Sequence, residues 1–306
     1  MAPDFGEGWI SSPIERWIAI LLKSGILFWL GGLAAWLYHS DKDWAFLWQW
    51  MTSNIKPVEI LLLIFILLMV VAITASVLKR FDIIVIRFLE GYPWSGWRKT
   101  LLIKWQNWQI ARDEARFQAL AEKAYKGLPP LSQKEQTEHA QLDWRLMYIP
   151  EKEQRLPTRL GNLLRAIELR PEKKYGLNIF ICWPRLWLVL PDAVKKELVI
   201  ARDNLDTTAR IWTWGAMFMV WMPYTAWAIP ISVAVMLFAY HWMLQTAGVY
   251  GQLVESSFDL YRSLLYKQLR WTLPNNPAEE RTQGEQLTAY LWRGSNEELP
   301  SFSSSL

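Results

Sequence analysis

Residues 60–78, ILLLIFILLMVVAITASVL, are the stretch of sequence that decides the fold class. The stretch contains no charged residue, and each Leu or Ile in a membrane helix favours the bilayer by a few tenths of a kcal/mol. A helix rises about 1.5 Å per residue, so a stretch of this length crosses a hydrocarbon core of roughly 30 Å. We therefore predict a transmembrane helix over residues 58–78.

Two other apolar regions lie on either side of this helix. Residues 17–38 contain Lys23 as their only charged residue, and residues 211–250 contain no Asp, Glu, Lys or Arg. Pro223 and Pro230 flank the segment YTAWAI, and proline interrupts helices, so the second region is divided into two spans. The predicted fold is an all-α polytopic membrane protein with four transmembrane helices in two hairpins, at residues 17–38, 58–78, 208–223 and 230–250.

The distribution of basic residues predicts the orientation. Of the 33 Lys and Arg residues, 24 lie between positions 79 and 210, against 16 Asp and Glu in the same stretch. Positive charge close to membrane spans is retained in the cytoplasm. We therefore expect a bacterial inner-membrane protein with a cytoplasmic N-terminus (1–16), a periplasmic aromatic loop (39–57), a cytoplasmic basic helical domain (79–207) and a cytoplasmic tail (251–306).

The basic domain is expected to be helical. Residues 104–126 are rich in good helix formers and end at Gly127, while Ser132 and Glu135 have the spacing of a capping box. A helix that begins at Asp192 contains no breaker before the third span, so we expect it to continue into that span. Residues 177–190 are apolar but too short to cross a bilayer, and form either buried core or a segment on the membrane face.

Motifs of known chemistry are missing from the sequence. It contains no H-E-x-x-H, C-x-x-C or G-x-S-x-G motif, and the glycine pair Gly91 and Gly96 is followed by Trp97 where a phosphate-binding loop needs lysine. Cys182 is the only cysteine, which excludes an intrachain disulfide and a multi-cysteine zinc site. The 21 Trp residues indicate bilayer contact more simply than nucleic-acid stacking. We therefore expect no enzymatic activity, no catalytic residue, no cofactor, no metal and no nucleic-acid partner.

Ionisable and polar groups at membrane depth are costly, so they are functional candidates. Lys23 can alternatively extend its ammonium group to the lipid headgroups, and His241 can make a polar contact between helices. The candidates for a pore or an intramembrane polar site are Lys23, Glu59, His241 and Gln245.

The segment 156–191 alternates arginine, glycine and aromatic residues with bulky apolar ones. Guanidinium groups beside aromatic rings can hold an anionic headgroup or a phosphate. The same groups can instead form buried pairs that fasten helices together. The candidates for binding an anionic headgroup or a partner are Arg159, Arg165, Tyr175, Trp183, Arg185 and Trp187.

Several segments resemble a group of bacterial integral membrane proteins of unassigned function. They are RFLEGYPW (87–94), RLGNLLRAIE (159–168), YG (175–176), WPRLWLVLP (183–191), SFDLYRSLLYKQLRW (257–271) and PAEERTQGEQLTAYLWRG (277–294). This resemblance implies a bacterial inner-membrane location and no particular reaction. The layout of two hairpins around a cytoplasmic domain is also similar to that of bestrophin-type channels, by analogy of arrangement alone.

These observations lead to two functional hypotheses from different classes. The first is a non-enzymatic, homo-oligomeric membrane protein that acts as a channel or pore-forming effector gated by its cytoplasmic domain. The second is a membrane-anchored scaffold or sensor that recruits a cytoplasmic protein partner. A lipid-modifying enzyme is the weakest alternative, because no carboxylate and histidine pair occurs near the inner interface.

Overall fold

The computed structural model describes residues 13–40, 42–54, 56–127 and 130–294; the side chains of residues 13–24, 47, 54 and 57 lie outside this description. Within these ranges the chain forms eleven α-helices, two short 3₁₀ helices and no β-strand, so the predicted all-α class is confirmed. The α-helices are α1 (Pro13–His39), α2 (Trp44–Asn54), α3 (Pro57–Lys79), α4 (Asp82–Glu90), α5 (Gly96–Lys126), α6 (Gln133–Met147), α7 (Arg159–Tyr175), α8 (Ile179–Val189), α9 (Asp192–Phe218), α10 (Ala228–Gln268) and α11 (Pro277–Arg293).

Within the described residues, two helices are long and apolar enough to cross a membrane. They are Val58–Lys79, within α3, and Ala228–Gln268, which is α10. Of the described side chains of α3 only those of Val71 and Ala75 are buried. The predicted spans 58–78 and 230–250 lie in these helices. The predicted span 17–38 lies in α1, and the predicted span 208–223 covers the end of α9 and the residues that follow it. Neither α1 nor α9 reaches the same criterion within the described residues.

Several helix boundaries differ from those that local sequence predicts. Helix α10 continues to Gln268, well beyond the predicted end of the fourth span at Tyr250, because no proline interrupts it. Helix α5 begins at Gly96, before the predicted start at Lys104. The capping box is confirmed: the backbone N–H of Glu135 donates to the Ser132 hydroxyl, and the backbone N–H of Ser132 donates to the Glu135 carboxylate.

The chain divides into two compact units, each with its own core. The first comprises the described residues within 1–85 and 206–241. Its core is aromatic, with Phe28 beside the ring of Trp214. A Cβ atom on Gly31 would lie 2.4 Å from the Phe218 ring, so this glycine of α1 allows the aromatic side chain to approach the helix backbone.

The second unit comprises the described residues within 86–205 and 242–306. Helix α7 lies at its centre, and Leu160 and Leu163 on that helix are buried. Helices α5 and α6 pair beside it and are joined by ion pairs, including Lys123 with Glu135 at 2.8 Å. The core therefore sits around α7, where α8, α10 and α11 also contribute buried side chains such as Leu186, Phe258 and Leu287.

Helix α11 is fastened to the end of α7 by close backbone contact. A Cβ atom on Gly284 would lie 1.8 Å from the carbonyl oxygen of Tyr175, and one on Gly176 would lie 2.1 Å from that of Arg281. The Thr288 hydroxyl donates to the Gly176 carbonyl at 2.9 Å. Gly176 also adopts a φ of +69°, which favours glycine, so it both ends α7 and admits α11.

Candidate functional site

The candidate site forms where the end of α4 meets the beginning of α7. Gly91 follows α4 with a φ of +89°, and a Cβ atom there would lie 2.3 Å from the Pro157 side chain. The Thr158 hydroxyl donates to the Glu90 carbonyl at 3.1 Å and also caps α7 by accepting from the Gly161 N–H at 2.9 Å. Backbone contacts thus fix the position from which the Glu90 side chain projects.

Gly161 allows this approach. A Cβ atom on Gly161 would lie 2.3 Å from the carbonyl oxygen of Glu90, which no larger residue could accommodate without a backbone shift. The Asn162 side chain accepts the backbone N–H of Leu156 at 2.7 Å and orders the segment that leads into α7. Residues 156–162, LPTRLGN, therefore form the surface against which the end of α4 packs.

The carboxyl group of Glu90 has an unusually high pKa. Burial of its carboxyl group and the nearby negative charge of Glu168 raise its pKa from 4.5 to about 7, although Arg87 and Arg202 act in the opposite direction. The guanidinium of Arg165 donates to Glu168 at 3.1 Å. Burial, and then Glu168, also raise the pKa of the neighbouring Tyr92. The Glu90 cluster, as we name it, consists of Arg87, Glu90, Tyr92, Arg165, Glu168 and Arg202.

The cluster combines a titrating acid with three permanent cations. A carboxyl group with a pKa near 7 gains or loses a proton in response to small changes around neutral pH. The arginines stay charged throughout, so protonation of Glu90 makes the cluster more positive. Such an arrangement can respond to pH. It has no activated nucleophile beside a base, as covalent catalysis requires.

A second charged network joins α7, α10 and α11. Tyr175 donates its hydroxyl proton to Asp259 at 2.5 Å, and the Arg262 guanidinium lies 4.1 Å from the Tyr175 ring centroid. Arg262 also donates to both oxygens of Glu280, at 2.6 and 3.3 Å. Burial and the bond to Asp259 raise the pKa of Tyr175 to about 12, so the phenol remains protonated. This network holds three helices together.

The predicted headgroup or partner-binding residues fall in separate places. Arg165 belongs to the Glu90 cluster, whereas Tyr175 belongs to the network around Asp259. Arg159 is exposed on the first turn of α7. The remaining three lie on α8. Arg185 donates to the Ile181 carbonyl at 2.5 Å. The Trp183 ring stacks on Phe258, and its centroid lies 6.0 Å from that of the Trp187 ring. The six residues therefore do not form one pocket.

The predicted pore or intramembrane residues are also dispersed. Glu59 lies in the first turn of α3, and its carboxylate accepts the backbone N–H of Lys56 at 2.9 Å, as a helix-capping group does. His241 and Gln245 are both exposed on α10. Lys23 lies in α1, but its side chain is outside those that the structure describes. A pore role for these residues stays a prediction.

Sequence reasoning missed two features. It treated Glu90 only as part of RFLEGYPW, although a glutamate directly before a Gly-Tyr-Pro turn could have suggested a fixed, partly buried carboxylate. It counted Arg210 as a flanking charge, whereas the Arg210 and Asp82 side chains are buried together with an N–O distance of 3.1 Å. The pairing of Arg210 with Asp82 has no local sequence signal.

The described residues contain no group of three or more His, Cys, Asp or Glu side chains that could hold a metal ion. Comparison of the chain with models of known protein families, with curated proteins and with solved structures gives no match. The function must therefore be inferred from the chain's own residues.

Proposed function

We propose that the chain is a non-enzymatic bacterial inner-membrane protein that forms a homo-oligomeric channel or pore, whose opening is controlled by the Glu90 cluster of its cytoplasmic domain. The observation that carries this proposal is the direct connection between an apolar helix and a group that titrates near neutral pH. Helix α3 ends at Lys79, α4 begins at Asp82, and α4 ends at Glu90. Glu90 is therefore the last residue of the helix that follows α3 in the chain, and in this proposal its change of charge is transmitted to α3 through α4.

The membrane location is supported by the exposed surface of α3. Leu61, Phe65 and Ile73 are 68%, 63% and 55% exposed, and such a continuous apolar surface is rare on soluble proteins. Contact with lipid chains removes the cost of exposing these apolar side chains to water. The excess of Lys and Arg between residues 79 and 210 supports an orientation with four spans, both termini inside and the charged domain in the cytoplasm.

An oligomer is supported by the polar residues of α10. His241 is exposed on α10, within the stretch 211–250 that contains no Asp, Glu, Lys or Arg. Polar side chains exposed at membrane depth favour contact with another subunit or with an aqueous path over contact with lipid. Four spans leave little room for a sealed path in one subunit, and several subunits around an axis supply it.

The proposal predicts pH-dependent currents from the purified protein in planar bilayers. We expect the open probability to change when the cytoplasmic side is taken from about pH 6 to about pH 8, because Glu90 loses its proton in this window. Glu90→Gln is expected to abolish most of that change. The measurement is single-channel recording on oligomers whose subunit number is fixed by native mass spectrometry.

Glu138→Gln is the matched control for the recording. Glu138 accepts two hydrogen bonds from Arg116 at 2.8 Å, and the bond to Arg116 holds the pKa of its carboxyl below the usual range. The Glu138 carboxyl group therefore does not titrate between pH 6 and pH 8, and Glu138→Gln should leave the pH response of the open probability intact. Electrically silent bilayers with a folded oligomer would refute the channel proposal.

Glu90 also makes a prediction about stability. Its folded-state pKa of about 7 lies above its usual value of 4.5, so the folded chain binds this proton more tightly than the unfolded chain. Stability contributed in this way is present at pH 4.5 and is lost as the pH rises to about 7. Glu90→Gln should remove the loss and stabilise the protein at pH 8 by roughly 1–2 kcal/mol, allowing for partial solvent exposure.

The measurement is the unfolding midpoint of the wild type and of Glu90→Gln in detergent at several pH values. We expect the two proteins to have similar midpoints near pH 4.5, to separate as the pH rises to about 7, and to keep that difference above it, with the variant more stable. A constant difference across this range would contradict the assigned titration.

A further inference from the structure

Helix α5 carries an unusual exposed face along its first half. Trp97, Leu101, Trp105 and Trp108 are 72%, 59%, 49% and 59% exposed. Their spacings of four, four and three residues place them on one side of the helix. We name these four residues the Trp face. Three exposed indole rings and a leucine in one line form an apolar surface whose exposure to water is unfavourable.

The opposite side of α5 packs against the rest of the second unit. Gln106, Ile110 and Asp113 are buried, and the Asp113 carboxylate pairs with Arg145 at 3.0 Å. Asn107 accepts a hydrogen bond from Arg155 at 2.8 Å. The helix is therefore held in a defined orientation, and the Trp face is a fixed surface.

The charge around the Trp face has one sign. Residues 96–112 contain four basic residues and no acidic one. The Arg98 guanidinium lies 5.5 Å from the Trp97 ring centroid, and that of Arg112 lies 5.7 Å from the Trp108 ring centroid. Arg98, Lys104 and Arg112 are exposed. Apolar rings with adjacent cations are typical of a helix at the surface of an anionic membrane.

The second half of α5 has a different character. From Asp113 onward the helix carries both acidic and basic residues. Two of the basic residues pair with α6, Arg116 with Glu138 and Lys123 with Glu135. This half exposes no tryptophan. The apolar face and the one-signed charge thus end at the same place, near Arg112.

We infer that the Trp face and its flanking cations bind the anionic phospholipid headgroups of the membrane surface. Tryptophan prefers the interface because its ring is in apolar surroundings while its N–H stays hydrated. Arginine binds lipid phosphates through forked hydrogen bonds. The inference rests on the proposed membrane location and is independent of channel activity.

The test places one fluorescent label on the full chain in lipid nanodiscs. Cys182 is the only cysteine and is buried, so Cys182→Ser gives a background for single labels. An NBD label is attached at Leu101→Cys, and spin-labelled lipids with the nitroxide near the headgroup quench it on contact. Gln118→Cys, exposed on the second half of α5, is the matched control.

We expect quenching at position 101 to be at least about twofold greater in phosphatidylcholine nanodiscs with about 30% phosphatidylglycerol than in phosphatidylcholine alone. The label at position 118 should change little between the two. Arg98→Glu combined with Arg112→Glu should remove the dependence on phosphatidylglycerol at position 101. Equal quenching in both lipids, or none in either, would overturn the inference.

A further label separates this inference from a failure of the membrane location. A label at Leu62→Cys on α3, which is 58% exposed, should be quenched by nitroxides deep in the acyl chains. If position 62 is quenched and position 101 is not, the headgroup inference fails while the membrane location stands. If neither is quenched, the membrane location itself fails.

Discussion

Replacing Arg210 with alanine is expected to lower the free energy of unfolding by about 3–5 kcal/mol, the usual cost of breaking a buried ion pair on one side. The side chains of Arg210 and Asp82 are only 4% and 8% exposed, and the N–O distance between them is 3.1 Å. Removing the guanidinium leaves the Asp82 carboxylate in surroundings that cannot hydrate it. The measurement is thermal unfolding in detergent, monitored by the loss of the monodisperse peak in size-exclusion chromatography.

The comparison with an exposed pair makes this prediction specific. Arg116 forms two hydrogen bonds with Glu138, but the side chains are 49% and 38% exposed, so Arg116→Ala should have little effect. Arg210→Met combined with Asp82→Leu should recover most of the lost stability, because an apolar pair leaves no charge unpaired. An Arg210→Ala effect as small as that of Arg116→Ala would mean that water reaches the Asp82 carboxylate.

Local patterns in the sequence predict much of the fold. The uncharged run at 60–78 requires an apolar helix, and the Ser132 capping box identifies the beginning of α6. These signals work because the residues that cause the structure are close together in the chain. The predicted fourth span ends at Tyr250, whereas α10 continues to Gln268, because a change from apolar to charged residues does not by itself break a helix.

The candidate site could be predicted only in fragments. The high pKa of Glu90 depends on Glu168, and its position depends on Gly161, both contributed by another helix. The grouping of arginines at 156–191 was visible, but its members point into different surroundings once α7 and α8 have formed. Which charged residues are paired is decided by tertiary contacts, and spacing along one segment carries no information about them.

Gly284→Ala is expected to destabilise the second unit by roughly 3 kcal/mol or more, at the upper end of the usual cost of overpacking a core. Replacing glycine by alanine within a helix normally stabilises a protein by up to about 1 kcal/mol. The effect expected for Gly284→Ala therefore has the opposite sign. The added Cβ atom would lie 1.8 Å from the Tyr175 carbonyl oxygen, which belongs to the backbone and cannot rotate away. Helix α11 must move outward.

Two readouts follow from that movement. The unfolding midpoint should fall, and limited trypsin digestion should cleave faster at Arg281 and Arg293, which lie on α11. Gln286→Ala, at an exposed position of the same helix, is the control and should change neither. Because the Thr288 hydroxyl also reaches the Gly176 carbonyl across this contact, Thr288→Val should loosen α11 in the same direction but less severely. Unchanged digestion of Gly284→Ala would show that α11 is not held by this backbone contact, and the fastening of the helix would then depend on its side chains, chiefly Glu280 through its pair with Arg262.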